Sequence, residues 1–349
     1  MSEAKFDNDD DLCIRTIRVL APDMVEHANS GHPGAPMGLA PLGHVLWTRF
    51  LRTNPKHSKW LNRDRFVMSN GHACALQYVL LHLSGFQLSM DDLKKFRQLH
   101  SRTPGHPELG LTDGVEVTSG PLGQGFGQAV GLACASKHMA ARFNKKNYDL
   151  FDHKVYVIVG DGCLQEGVSS EVASLAGHLQ LNNLIAIYDD NSITIDGKTS
   201  LSFSEDVPKR FQAYGWETHV VSDGNCDIDA IQHTLRNAQT AQKPVLIVVK
   251  TKIGYGSSVE DSRHAHGSPL GKEALADYKR KNGFDPKQSF VVDEKVRKRY
   301  ENTIAKRGEK AEREWNDLFD KRVVATHGTK KTARRLEEKA AIIQCQVIE

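Results

Sequence analysis

The chain has no long hydrophobic run, no C-x-x-C pair and no strong excess of charge of either sign. The first absence leaves no apolar stretch near the ~18 residues that a membrane-spanning helix needs. The second speaks against structural zinc and against a disulfide framework. Cys13, Cys74, Cys134, Cys163, Cys226 and Cys345 are scattered, which fits a reducing compartment. The third, a net charge of +3, gives no reason to expect nucleic acid or a membrane surface as partner. The N-terminus, M-S-E-A-K-F-D-N-D-D-D, is acidic and resembles neither a signal nor a transit peptide, so a cytoplasmic protein is expected. With 349 residues, 39% hydrophobic and 26% charged, an ordinary globular chain of about two domains, or one large α/β domain, is indicated.

Two short apolar runs, Val155–Val159 and Leu184–Tyr188, read as buried strands of a parallel sheet. The first ends at Gly160-Asp161-Gly162 and the second at Asp189-Asp190-Asn191, so both polar clusters stand where open α/β sheets place ligands. Asp161 offers a carboxylate, Asn191 an amide oxygen, and a bend after Asn191 can turn a backbone carbonyl inward. Hard oxygen donors of this kind suit Mg²⁺ or Ca²⁺, and glycines beside a helix start let backbone N–H groups reach a phosphate. The expectation is a metal–diphosphate site.

Helical periodicity covers Leu12–Ala28, where Pro22 should kink or break the helix, and H-P-G-A-P should force a non-helical turn. Ala40–Leu51, Ala73–Leu83 and the alanine-rich Gln128–Phe143 read as helices, and Arg63–Met68 as a short strand. Trp216–Val221 and Val245–Lys250 read as further strands around a helix at Ile228–Ala241. Helices follow at Lys272–Arg280, Glu294–Ile304 and Glu309–Phe319, and Ala333–Ile343 has the pattern of a basic amphipathic helix. Strands alternating with helices define an α/β fold, a mostly parallel sheet with helices on both faces.

Four histidines stand in loops beside glycine or proline: His32, His72, His106 and His266. Imidazole with a free pKa of about 6.5 can hydrogen-bond phosphate, polarise a carbonyl or shuttle a proton. No His-x-x-x-His pair with a third ligand accompanies them, which disfavours zinc. The loop Gly120-Pro121-Leu122-Gly123-Gln124-Gly125-Phe126-Gly127 runs G-x-x-G-x-G-x-G, not the dinucleotide fingerprint G-x-G-x-x-G after a strand.

Taken together, N-S-G-H-P-G-A-P-M-G, R-F-V-M-S-N-G-H-A, S-R-T-P-G-H-P-E, E-V-T-S-G-P-L-G-Q-G, G-D-G-C-L-Q-E-G-V-S-S-E, I-Y-D-D-N-S-I-T-I-D-G and I-G-Y-G-S…H-A-H-G-S-P-L resemble the N-terminal half of transketolases, most of all the eukaryotic type. The motifs keep the family's order and spacing over roughly residues 10–320. The resemblance implies a thiamine-diphosphate enzyme that moves two-carbon ketol units between sugar phosphates. Asp161 and Asn191 would hold the divalent metal (Mg²⁺, with Ca²⁺ or Mn²⁺ as alternatives) through side chains, and Ile193 through its carbonyl. Gly162, His72, His266 and Asn191 would contact the diphosphate, and the Gly120 carbonyl would meet the aminopyrimidine. Leu122 and Ile195 would form the apolar seat of the cofactor. His32, His106 and His266 would act beside the reacting sugar, and Glu166 and Glu171 would lie at a dimer interface that couples two sites.

The family's complete enzyme is roughly twice as long, and its pyrimidine-binding domain has no counterpart in these motifs. Residues 1–320 would be the diphosphate-binding domain, and 321–349 a basic tail or a remnant of an interdomain linker. The expected partners are therefore a pyrimidine-binding domain on another chain, in a homodimer or heteromer, and sugar phosphates. Alternatives are a truncated product that binds cofactor without catalysis and a protein that sequesters full-length subunits. Dihydroxyacetone synthase shares many of the motifs, whereas deoxyxylulose-phosphate synthase lacks S-R-T-P-G-H-P-E.

Overall fold

A computed structural model describes residues 6–327, with side chains through Arg322. The stretch 333–343, which the sequence leaves open between a basic amphipathic helix and an unstructured tail, lies outside the described residues, as does most of the 321–349 segment. The strands are β1 Arg65–Met68, β2 Val155–Gly160, β3 Leu184–Asp190, β4 Glu217–Val221 and β5 Val245–Lys250. They form one parallel sheet in the order β1-β2-β3-β5-β4. The helices are α1 Asn8–Ala28, α2 Gly34–Val45, α3 Cys74–Ser84, α4 Met90–Lys94, α5 Gln124–Phe143, α6 Asp161–Gln165, α7 Gly167–His178, α8 Val207–Ala213, α9 Ile228–Ala238, α10 Lys272–Lys281, α11 Glu294–Tyr300 and α12 Lys306–His327. Among the described residues, no helix is long and apolar enough to cross a membrane.

Period-two alternation divides β1, β2, β3 and β5 between two cores, whereas the edge strand β4 adds only Val221. Tyr156, Ile158, Ile185, Ile187, Val245, Ile247 and Val249 face a core shared with α1, α2, α3 and α9. Val155, Val157, Val159, Leu184, Ala186, Leu246 and Val248 face the opposite core, which includes residues of α5, α7 and α8. Burial on both faces explains why β2, β3 and β5 appear in the sequence as unbroken apolar runs.

The prolines depart from expectation. Helix α1 passes through Pro22 without a break, because Leu20, Ala21, Met24 and Val25 are buried on either side of it. Interior proline costs a helix ~3 kcal/mol, and this packing outweighs it. Likewise, H-P-G-A-P is only partly non-helical: α2 begins at Gly34, and Pro36 falls in its first turn, where the missing N–H has no helical partner to lose. After α2 the chain continues as a π-helical turn over Leu46–Phe50.

Helix α12 runs past residue 320 without interruption. Half-buried Arg307 anchors it by donating to the Trp47, Thr48 and Leu51 carbonyls at 2.6–2.7 Å, and Trp315 and Phe319 pack in a cluster with Trp60, Met139, Leu150 and Phe151.

Candidate functional site

The parallel order brings four strand ends together. In register, Gly160 stands beside Asp189, and β1 and β5 flank this pair. Ser69 and Asn70 follow β1, Asp161 follows β2, Asn191 follows β3, and Thr251 follows β5. Above these ends lies a cavity of about 440 Å³. Its lining includes His32, His72, His106, Gly120, Leu122, Asp161, Gly162, Glu166, Asn191, Ile193, Ile195 and His266. All twelve positions proposed from the sequence as catalytic, cofactor-binding or metal-binding thus reach one site. Glu171 does not line it; it is exposed on α7.

Three of the imidazoles form a cluster. Ring centroids are 5.0 Å apart for His32–His72, 5.3 Å for His32–His266 and 5.0 Å for His72–His266. Burial pushes the His32 pKa down to about 4, with His266 and the Arg97 guanidinium opposing its charge. Burial holds His72 well below the ordinary range and also lowers His106 and His266. Near neutral pH the cluster therefore offers neutral rings, each with one donor and one acceptor nitrogen. His32 Nδ1 is buried with no hydrogen-bond partner in the protein.

Close backbone packing holds this cluster in place. A Cβ at Gly34 would stand 2.3 Å from the Ala265 carbonyl oxygen, so only glycine lets α2 meet the loop that carries His266. A Cβ at Gly125 would stand 2.6 Å from Ser69 Cα, which requires glycine where α5 crosses the end of β1. Helix α5 begins at Gln124, four residues before the expected start, so Gly125 and Gly127 belong to its first turn. Ser69 ties the crossing together: its hydroxyl accepts from Phe126 N–H at 3.0 Å.

The acidic end is equally ordered. Tyr188 donates to Asp161 Oδ1 at 2.5 Å, while Oδ2 is buried without a partner. Burial lifts the Asp161 carboxyl to about 7 against the lowering effect of the Tyr188 bond, and Asp189 and Asp190 add repulsion. Such a carboxylate is stabilised by a nearby cation. Asn191 Oδ1 accepts from Ile193 N–H at 3.0 Å, and Ser192, at φ +61°, makes the bend expected after Asn191. Among the described residues no three His, Cys, Asp or Glu side chains converge as a metal centre, so a cation here would need a mixed oxygen set. Asp161 Oδ2 and the second lone pair of Asn191 Oδ1 fit that need.

The apolar seat is half-built: Leu122 is half-buried, whereas Ile195 is 68% exposed. Glu166 is exposed and forms the N-cap position of α7. Sequence reasoning missed Asn70, whose buried Oδ1 also lacks a partner, and Tyr188, Asp189 and Ile253. All four lie inside the quoted motifs, and Asp189 inside the polar cluster that ends β3, but none had been given a role. For Asp189 the signal was an acid at the end of an otherwise apolar strand, which only its neighbours make meaningful.

A parallel sheet with glycine, acid, amide and clustered histidines at its carboxyl end defines the class. It is a thiamine-diphosphate-binding α/β domain, and the family model described as "Transketolase, thiamine diphosphate binding domain" matches residues 9–341. The chain belongs to the transketolase family. It is 56% identical to transketolase 1 of Saccharomyces cerevisiae over 316 residues, which cover 90% of this chain and 46% of that protein. The transketolase of Leishmania mexicana superposes with a TM-score of 0.90 at 49% identity, covering 92% of this chain and 48% of that one. A Pichia stipitis transketolase in complex with sedoheptulose 7-phosphate gives 0.92 at 48%, covering 96% and 49%. The chain spans about half the length of the relatives it matches, and the match is to their N-terminal half.

Proposed function

We propose that the chain supplies the diphosphate and metal half of a transketolase site that transfers a two-carbon ketol unit from a ketose phosphate to an aldose phosphate. The observation that carries this is the convergence of four parallel strand ends and the three-imidazole cluster on one cavity. Bound thiamine diphosphate supplies the carbanion chemistry that such a transfer needs.

The chain's own residues bind and orient. Asp161 and Asn191 hold Mg²⁺, or Ca²⁺ or Mn²⁺, through side-chain oxygens, and Ile193 adds its carbonyl. Gly162, His72, His266 and Asn191 take the diphosphate, Gly120 contacts the aminopyrimidine, and Leu122 and Ile195 form one wall of the seat. Neutral His32, His106 and His266 hydrogen-bond sugar oxygens and move protons at them. A pyrimidine-binding domain, to which no residue of this stretch is assigned, completes the site as a partner in a homodimer or heteromer. Leu175 on α7 and Leu179 at its C-cap are 46% and 48% exposed, beside the helix that bears Glu171, an apolar surface suited to that partner.

Calorimetric titration with thiamine diphosphate and Mg²⁺ tests the binding half, and a coupled transketolase assay with and without a separately expressed pyrimidine domain tests the rest. Saturable, metal-dependent binding by the chain alone and turnover only with the added domain are expected. Absence of saturable binding, or full turnover by the chain alone, would overturn the proposal.

A further inference from the structure

Asp189 is 1% exposed, yet it belongs to none of the groups assigned to cofactor, metal or sugar. Both of its carboxylate oxygens are occupied. Asn191 Nδ2 donates to Oδ2 at 2.9 Å, and Thr251 Oγ1 donates to Oδ1 at 2.5 Å. Thr251 itself follows β5, so the carboxylate bridges the ends of two neighbouring strands.

An asparagine amide has two ends of nearly equal size and opposite hydrogen-bonding character. A carboxylate on one side accepts only from the NH₂ end, and the Ile193 N–H on the other side donates only to the oxygen end. The two contacts agree on a single orientation. A flipped amide would set oxygen against oxygen at Asp189 and present NH₂ to any cation. Asp189 thus selects the orientation in which Asn191 can act as an oxygen donor.

We propose that Asp189 is a positioning residue that fixes the Asn191 amide with its oxygen available to a divalent cation; this rests on the reading of Asn191 as a metal ligand. Groups behind metal ligands typically alter metal affinity ~10–100-fold when removed. Orientation, not charge, is the operative property. An asparagine at 189 can turn its oxygen to Asn191 and its NH₂ to the Thr251 hydroxyl, which accepts as well as donates.

The test is calorimetric titration of the full chain with Mg²⁺ at fixed thiamine diphosphate. Asp189→Ala should weaken Mg²⁺ about 10–100-fold, as other such supporting groups do. Asp189→Asn should stay within about threefold of the parent, since it keeps the acceptor. In an Asn191→Ala background, Asp189→Ala should have no further effect, the non-additivity expected of residues acting through one another. Should Asp189→Ala fail to fold, Thr251→Val takes its place, with a smaller loss that also vanishes in the Asn191→Ala background. Unchanged affinity in Asp189→Ala would overturn the proposal, as would equal losses in Asp189→Ala and Asp189→Asn, or a loss that persists without Asn191. If Asn191→Ala itself binds Mg²⁺ like the parent, the metal reading fails, and the proposal fails with it.

Discussion

Gly34→Ala sets two effects of opposite sign against each other. Helix entropy favours alanine over glycine by ~0.5–1 kcal/mol inside a helix. Against this, the new Cβ would stand 2.3 Å from the Ala265 oxygen, 2.9 Å from its carbonyl carbon and 2.6 Å from Ile253 Cγ1. Non-bonded heavy atoms settle at ~3.5 Å or more, so the backbone must yield by about 1 Å. Overpacking of this kind costs ~1–3 kcal/mol, which equals or exceeds the entropy gain, leaving a net loss of up to ~2.5 kcal/mol. The segment that must yield is next to His266, whose ring lines the cavity. Positional errors of ~1 Å in a participating group can lower turnover ~100-fold. Gly131→Ala is the control: it lies within α5, and its Cβ would meet nothing within 4 Å, so it should stabilise by ~0.5–1 kcal/mol. Urea unfolding of the two variants should move the midpoint down for Gly34→Ala and up for Gly131→Ala at equal slope. A Gly34→Ala chain as stable as its parent, with unchanged thiamine-diphosphate affinity, would refute the tight seating of α2 on the His266 loop.

Asp161→Ala should abolish Mg²⁺-dependent thiamine-diphosphate binding by calorimetry; retained affinity would contradict the metal assignment. His32→Ala should keep cofactor binding and lower turnover of the complemented enzyme, and loss of binding in a folded variant would contradict its role at the sugar. In the cofactor-free chain His32 should stay neutral through pH 6 by histidine NMR, since its folded pKa, about 4, lies below the unfolded value of about 6.5. Between those values the unfolded chain binds more protons, so His32 makes stability fall as pH drops from 6.5 towards 4. A titration midpoint near 6.5 would show that the ring is not sequestered.

Much of the sheet was legible because parallel strands buried on both faces leave uninterrupted apolar runs, and β5 was bounded correctly at Val245–Lys250. Helix starts were less legible. Pro22, Pro36 and Gly125 read locally as breakers, but long-range packing sets their cost, and no window of sequence contains the partner. The same limit applies to Asn70, Tyr188 and Asp189, buried polar residues whose purpose is visible only beside the atoms they meet.

The sequence by itself determined the family and the chemical inventory: strand-ending acid and amide, four loop histidines and the glycine loop. These are local properties, carried by residue type and spacing along the chain. Only the tertiary structure decided which of them act together, because the sheet order brings residues separated by more than two hundred positions, from His32 to His266, into contact. It also decided how they present themselves: burial makes the rings neutral, Tyr188 occupies one Asp161 oxygen and leaves the other free, and Asp189 turns the Asn191 amide.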